Sequence, residues 1–514
     1  MASSRNLFSL FHRHRVIPFE FLGQPSSALF STHIVGDTPI LVRDFIHKAL
    51  YDPNVGYFSQ KSASVGVLDS TIKFNRFEGR KAYMKHLDKI YKQSDVSWFT
   101  PVELFKPWYA HGIAESILRT TNLSVPLKIY EIGGGSGTCA KGILDYIKLN
   151  APTRVYDNIS YTSVEISSSL AAKQIQTVGE VDSHLSKFRV EHRDATDRNG
   201  WGDVNEQPCW VIMLEVLDNL PHDLIYSENQ TSPWMEVWVE RKQGEELSEL
   251  YRPIEDSLIK SCIEIIDMPD ATAGGSRVSS AMKNIWAKVF PKPRWCWLPT
   301  GCMKLLQVLH GALPKMSIIA SDFSYLPDVK IPGERAPLVS TKKDGSSSDY
   351  NSYLDAEGDA DIFFPTDFFL LEQMDHYCSG WMKQQKDGEP LKRGKKRRTL
   401  SLDTAAFMEE FGLPTKTRTK DGYNPLLDDF KNTKTREITE FSMSFYSNDI
   451  EVAVSESLCD QIKIPRAWKS KVRSMIRRNH PPRPVPRLLS GIIVQASWTE
   501  EGEPHRDGLA WKEG

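Results

Sequence analysis

The sequence predicts an α/β chain on a mostly parallel sheet, with a helical amino-terminal cap and a later helical insertion. Three observations predict it. The apolar run "LKIYEI" breaks into "GGGSG" and resumes as the helix-compatible "TCAKGILDYIKL", a strand–turn–helix unit. Three further strand-like runs follow, "NISYTSVE", "KFRVEHRD" and "CWVIMLEVLD", each reaching an acid at its end. Beyond them "SLIKSCIEII", "VSSAMKNIWAKVF" and "MKLLQVLHGAL" carry apolar residues at helical spacing.

Taken along the chain, residues 1–32 come first. They hold Arg5, Arg13 and Arg15 among serines, leucines and phenylalanines, with Glu20 as their one acid. That composition suits an amphipathic organelle-targeting segment and predicts a mitochondrial address. Residues 38–122 form the helical cap. The α/β domain spans 123–450, with its helical insertion at about 245–313. Two polar stretches inside it, about 328–360 ("TKKDGSSSDYNSYLDAEGDAD") and about 383–400 ("KQQKDGEPLKRGKKRR"), are expected to be flexible loops. Residues 451–514, rich in proline and basic groups, read as a tail outside the core.

Composition narrows the function. A chain of 514 residues exceeds what one core usually serves, so one large elaborated domain or two are expected. A net charge of −2 lacks the basic bias of a nucleic-acid binder. The seven scattered cysteines make no CxxC or zinc spacing, so reduced thiols and no metal are expected. No run of about 18 apolar residues offers a membrane span.

The glycine turn lets main-chain N–H groups and a helix start approach a ligand closely. Two ligand classes use this device. Dinucleotide enzymes need G-x-G-x-x-G, but Thr138 stands at the third glycine position. The pattern present is acidic-x-G-x-G-x-G: Glu131, Gly133, Gly135 and Gly137. It resembles the first motif of Rossmann-like methyltransferases, which bind S-adenosyl-L-methionine. Glu165, ending the next strand, can accept both ribose hydroxyls, and Asp194 can meet the adenine amino group. Glu215 and Asp218 reach the same sheet edge from a fourth strand. Four acids there suit a cationic sulfonium better than a pyrophosphate.

Longer motifs resemble one family. "VRDFIHKALYDPNVGYFS" is similar to the signature L-Y-D-P-x-x-G-Y-Y of the MidA-like methyltransferases, the mitochondrial complex I assembly enzymes and their bacterial relatives. "WFTPVELFKPW" resembles their F-x-T-[SA]-P-E-[IL]-S segment through Phe99, Thr100, Pro101 and Glu103. "LEVLDNLP" resembles N-E-x-x-D-A-L-P, and "DIFFPTDFF" resembles D-[LI]-T-x-x-V-D-F. Leu214, Lys106 and Phe363 depart from these patterns. The resemblance implies symmetric dimethylation of an arginine on a respiratory complex I subunit, a protein substrate, in the mitochondrial matrix.

A guanidinium stays protonated in water and is a poor nucleophile until carboxylates orient it and relieve it of a proton. Glu215 and Asp218 are the expected catalytic carboxylates, with Glu103 as a helper, and Tyr51 and Tyr57 shape the substrate rim. Asp218 can equally cap a following helix. Two other classes stay open. One is a non-catalytic assembly protein keeping the cofactor fold, motivated by Leu214, Lys106 and Phe363. The other, a nicotinamide oxidoreductase, is the poorest because of Thr138.

Overall fold

A computed structural model describes residues 34–60, 65–94, 99–229, 232–242, 246–266, 292–326, 328–343, 346–380, 397–429, 441–448 and 492–496. The targeting segment expected at 1–32 lies outside these residues. Strand β1 (Ile40–Leu41) runs directly into helix α1 (Val42–Tyr51), which buries Val42, Phe45, Ile46, Ala49 and Leu50 along one face. "LYDPNVGY" then turns the chain sharply. The Asp52 carboxylate accepts N–H bonds from Asn54 and Val55 at 2.8 and 3.2 Å. A Cβ on Gly56 would sit 2.4 Å from the Asp52 nitrogen, so the turn admits no side chain there. Its product is a stacked pair, Tyr51 on Phe58, with ring centroids 5.6 Å apart. Helices α2 (Arg80–Gln93) and α3 (Trp108–Thr120) follow, joined through a one-turn helix, Pro101–Leu104, that Thr100 caps.

The glycine unit comes next: β2 (Lys128–Ile132), then α4 (Thr138–Asn150). After it run β3 (Ser160–Glu165), α5 (Ser168–Val178), β4 (Phe188–His192) and β5 (Cys209–Leu214). A second sheet is inserted here: β6 (Asp223–Ser227), β7 (Met235–Arg241) and β8 (Leu247–Pro253), then α6 (Ser257–Ile266) and β9 (Arg294–Leu298). Helix α7 (Thr300–Ala312) returns the chain to β10 (Met316–Phe323). A small sheet of β11 (Leu338–Lys343), β12 (Ser346–Asp349) and β13 (Asp361–Phe363) follows, then α8 (Phe368–Cys378). The last described elements are β14 (Arg397–Asp403), α9 (Thr404–Phe411), β15 (Phe441–Asn448) and β16 (Ile492–Ala496).

The main sheet has the order β14–β15–β16–β10–β5–β2–β3–β4, and β10 through β4 are mutually parallel. Because side chains alternate across a strand, Ile129, Ile212 and Ile319 enter one core while Ile132, Val211, Met213 and Ile318 enter the core on the other face. Each such side chain, fully buried, contributes about 1.5–3 kcal/mol. β3 and β4 extend the sheet on one side of β2, whereas β5 and β10 extend it on the other. The strand order therefore reverses between β2 and β5, where open α/β sheets leave a crevice at their carboxyl ends.

The inserted sheet takes β1 as a member: Ile40 lies opposite Val239 and Leu41 opposite Trp238 on β7. Arg43 ties the same corner. Its Nη1 donates to Asp223 and to Asp256, both at 2.8 Å, and Asp223 also accepts Thr300 Oγ1 at 2.7 Å. The cap is thus bound to β6, to the start of α6 and to the start of α7.

Four segments differ from expectation. The region about 245–313 is not purely helical, because β8 and β9 are strands; the aromatic run "RWCWL" pairs with β6, while α6 and α7 keep their helical periodicity. Residues 267–291 lie outside those described. The region about 328–360 contains β11 and β12, ordered because Val339, Tyr353 and Ala356 bury themselves in the third core cluster. Of the loop expected at about 383–400, residues 397–400 belong to β14. The expected tail supplies β16, which lies antiparallel to β10; the β-branched "GIIVQA" run is flanked by proline-rich sequence that hides its strand character. Among the described residues no helix is long and apolar enough to cross a membrane, and no group of His, Cys, Asp or Glu is arranged to hold a metal.

Candidate functional site

The carboxyl ends of β2, β3 and β5 and the loop after β4 open onto one cleft of about 400 Å³, walled by α1 and by the first turns of α7. It lies at the strand-order reversal.

Gly133, Gly135 and Gly137 all adopt positive φ, at 64°, 53° and 82°. Two of them show why. A Cβ on Gly135 would point into open space, 3.8 Å from Val65, so bare main chain is what the cleft meets. A Cβ on Gly137 would lie 2.9 Å from the Cα of Gln174, so this glycine lets α5 pack against the turn. No side chain caps α4.

Glu131 lies beneath this turn and is absent from the cleft lining. Tyr161 donates to it at 3.0 Å, and burial pushes its carboxyl up to about 7 despite the bonds from Tyr161 and Cys139. Glu165 does line the cleft. Ser167 N–H and Gln174 Nε2 donate to it, both at 2.9 Å, and Gln174 also reaches the Gly135 carbonyl at 3.2 Å. Gln174 therefore holds the glycine turn and Glu165 in one unit. Burial outweighs these bonds and pushes Glu165 up to about 7.

Asp194 takes an N–H from Thr196 at 2.7 Å, and His47 of α1 approaches it at 3.6 Å. Burial alone would raise Asp194, but His47 and Thr196 outweigh it and bring its carboxyl down to about 2. Tyr51 stands between this end and the next: its hydroxyl donates to the Asn219 carbonyl at 3.0 Å. Burial first, then Asp361, Asp218, Asp194 and Glu165, hold that hydroxyl protonated.

The far end is acidic. Glu215 lines the cleft, partly exposed, with its backbone in the left-handed region at φ 54°. Asp218 is buried behind it, and its Oδ1 has no hydrogen-bond partner among the described residues. Burial raises both carboxyls well above the usual range; Asp322 adds to each, and Glu215 and Asp361 add to Asp218. Asn219 Nδ2 donates to Asp361 at 2.9 Å.

Of the residues expected from sequence, the structure brings Gly133, Gly135, Glu165, Asp194, Glu215 and Tyr51 onto the cleft. Gly137, Glu131 and Asp218 support its wall from behind. Two expectations are corrected. Glu103 is spent elsewhere: it accepts the Leu68 N–H at 2.7 Å and the Thr138 hydroxyl at 2.6 Å and pairs with the Lys106 ammonium, so it bridges the cap to α4. Tyr57 is buried in the third core cluster, and the rim aromatic is its neighbour Phe58. Sequence reasoning missed His47, although it lies one helical turn before Tyr51 on the same face of α1. It also assigned no role to Asp322, which ends an apolar strand as Glu165 ends its own. Nothing in the sequence marks Gln174.

The arrangement fits a nucleoside with a cationic sulfonium: an open glycine face, a carboxyl at the end of the next strand, and acids beyond. Comparison with known proteins agrees. The family model described as "Putative S-adenosyl-L-methionine-dependent methyltransferase" matches residues 112–385, just over half of the chain. A curated relative, the mitochondrial protein arginine methyltransferase NDUFAF7 homolog of Schizosaccharomyces pombe, is 23% identical over 360 residues, covering 66% of this chain and 75% of the relative. Among solved structures, a Burkholderia thailandensis protein bound to S-adenosyl-homocysteine is 15% identical with TM-score 0.47, covering 72% of this chain and 76% of that one. A native crystal structure of a superfamily protein from the same organism is 14% identical with TM-score 0.44, covering 72% and 75%.

Proposed function

We propose, for a chain that belongs to the S-adenosyl-L-methionine-dependent methyltransferase family matched above, that its methyl acceptor is an arginine side chain of a protein. S-adenosyl-L-methionine is its cofactor. The acceptor is proposed to be a subunit of respiratory complex I, dimethylated symmetrically during assembly in the mitochondrial matrix. The name of the fission-yeast relative supports an arginine acceptor and a mitochondrial setting, and the basic character of residues 1–32 supports the latter.

One observation carries the chemistry: Glu165 and Glu215 open on the same cleft, so a cofactor wall and an acid wall face one space. Glu165 takes the ribose hydroxyls, Asp194 the adenine amino group, and the glycine turn the methionine part. When bound, the cofactor supplies an electrophilic methyl whose bond to sulfur breaks as the new bond to nitrogen forms, the electron pair staying on sulfur. Glu215 orients the guanidinium in line with that methyl and takes the proton the nitrogen releases. Burial and Asp322 raise the Glu215 carboxyl, and an arriving cation opposes that shift and favours the ionised form that can take the proton. Holding both partners at attack distance supplies several kcal/mol. The test is methyl transfer from labelled cofactor to arginine-bearing respiratory-subunit peptides, with mass spectrometry locating the methyl groups. Label on lysine or on no residue would sink the arginine reading.

A second reading draws on Asp218, which is buried behind the cleft, and on Glu103, which is neutralised by Lys106. It is a cofactor-binding assembly protein without turnover. Calorimetric binding of S-adenosyl-homocysteine together with no labelled acceptor in matrix extract would select it.

A further inference from the structure

We propose that Asp322 is a positioning residue for Glu215: its carboxylate fills the concavity made by the main-chain N–H groups after Glu215 and thereby holds Glu215 left-handed, facing the cleft. This rests on the reading of Glu215 as the acid that meets the acceptor.

Asp322 is wholly buried, one residue beyond the last paired step of β10 and β5, where Ser321 lies opposite Leu214. Its Oδ2 accepts the N–H of Leu217 at 2.8 Å and of Asp218 at 3.0 Å, and its Oδ1 accepts the N–H of Phe323 at 2.7 Å. The N–H of Val216 bonds to the same carboxylate. Glu215 itself donates its N–H to the Ser321 carbonyl at 2.8 Å. Every N–H from Glu215 to Asp218 is thus tied to the end of β10. A left-handed residue followed by N–H groups that converge on one point is an anion-binding nest. Here the anion is the chain's own.

Left-handed backbone is costly for a glutamate and persists only where the surroundings over-determine it. Asp322 supplies that determination next to Glu215. On the far side Phe364 N–H donates to the Asp218 carbonyl at 2.9 Å and Asn219 Nδ2 to the Ile362 carbonyl at 3.1 Å, so β13 fixes the rest of the loop. Asp322 also acts by its charge, since after burial it is what raises Glu215. The other titratable groups bearing on this cluster are Asp218, Asp361, Tyr51, Tyr109, Tyr91 and Cys302.

The experiment compares the full chain with Asp322→Asn, Glu215→Gln and the double variant, all with S-adenosyl-homocysteine. In crystals of Asp322→Asn, Glu215 is expected to leave positive φ and turn from the cleft. Affinity for S-adenosyl-homocysteine should stay within threefold, because Glu165 and Asp194 are untouched. On an arginine peptide that the wild type methylates, kcat should fall at least tenfold. In the Glu215→Gln background Asp322→Asn should then add less than threefold. The acid limb of the pH–kcat profile should also move to lower pH, an effect that loss of packing alone does not produce. An unmoved Glu215 backbone, or losses that multiply in the double variant, overturns the proposal. If the wild type methylates no arginine peptide, the function proposed above fails while the crystallography still decides the role of Asp322. Should Asp322→Asn not fold, adding Glu215→Gly removes the strained residue and should recover most of the lost Tm; no recovery overturns the proposal equally.

Discussion

His47 of the cap and Asp194 after β4 approach to 3.6 Å, joining α1 to the strand end that is expected to take adenine. The two side chains are 45% and 32% exposed, so solvent discounts the pair to about 0.2–1 kcal/mol. His47→Ala should therefore raise the Kd for S-adenosyl-homocysteine by less than about fivefold in calorimetry. A far larger loss would mean that His47 touches the nucleoside itself.

Gly135→Val should abolish measurable cofactor binding. The valine would have to adopt φ 53° and would project into the cleft beside Val65. A variant that keeps its Tm yet binds as the wild type does removes the glycine turn from the site.

Glu165 should make cofactor affinity depend on pH. Its carboxyl, pushed up to about 7 by burial, accepts ribose hydroxyls best when ionised, so Kd should fall as pH rises from about 6 to 8. Glu165→Gln should flatten that slope and weaken binding by about 1–3 kcal/mol at pH 8. Calorimetry at three pH values checks both statements.

Stability should carry the opposite signature at Glu131. A buried acid raised to about 7 keeps a proton in the folded chain where the unfolded chain has already lost it. That contribution is complete below the ordinary carboxyl range and disappears as pH rises through about 7. Glu131→Gln does not titrate. Its unfolding free energy relative to the wild type should accordingly improve between pH 5 and pH 8, by on the order of 3 kcal/mol at most. A variant that loses stability relative to the wild type over that range contradicts the burial argument.

Glu103→Gln should cost about 1–3 kcal/mol in urea unfolding, because it breaks the pair with Lys106 while keeping part of the hydrogen bonding. At saturating cofactor, kcat should be unchanged within about twofold. A kcat loss without a stability loss would return Glu103 to the substrate side.

The parallel strands were legible because both their faces are covered, which leaves long apolar runs that stop at an acid or a glycine. The side each acid faces was less legible. Glu131 and Ile132 are adjacent, so they point to opposite faces of β2; Ile132 lines the cleft and Glu131 lies under the turn. The motif pattern is the same for either placement. Glu103 was misread because its partner Lys106, three residues on, counted only as a departure from a motif. β8, β9, β11 and β12 are short, polar or aromatic, and their order comes from pairing, β8 with its neighbour β7, β12 with its neighbour β11 and β9 with the distant β6, rather than from local propensity. Asp322 lies more than a hundred residues from the loop that it holds.

The seam between β1 and β7 has a kinetic consequence. Arg43 finds its acids 180 and 213 positions away, and Ile40 finds its strand partner at Val239. As the polypeptide is made, Phe45 and Ile46 must wait unsheltered at least until the strand that bears Val239 has been added. Such distant pairing slows folding and makes the nascent chain a natural client for chaperones. The wall over the nucleoside end of the crevice therefore cannot close before the inserted sheet has formed.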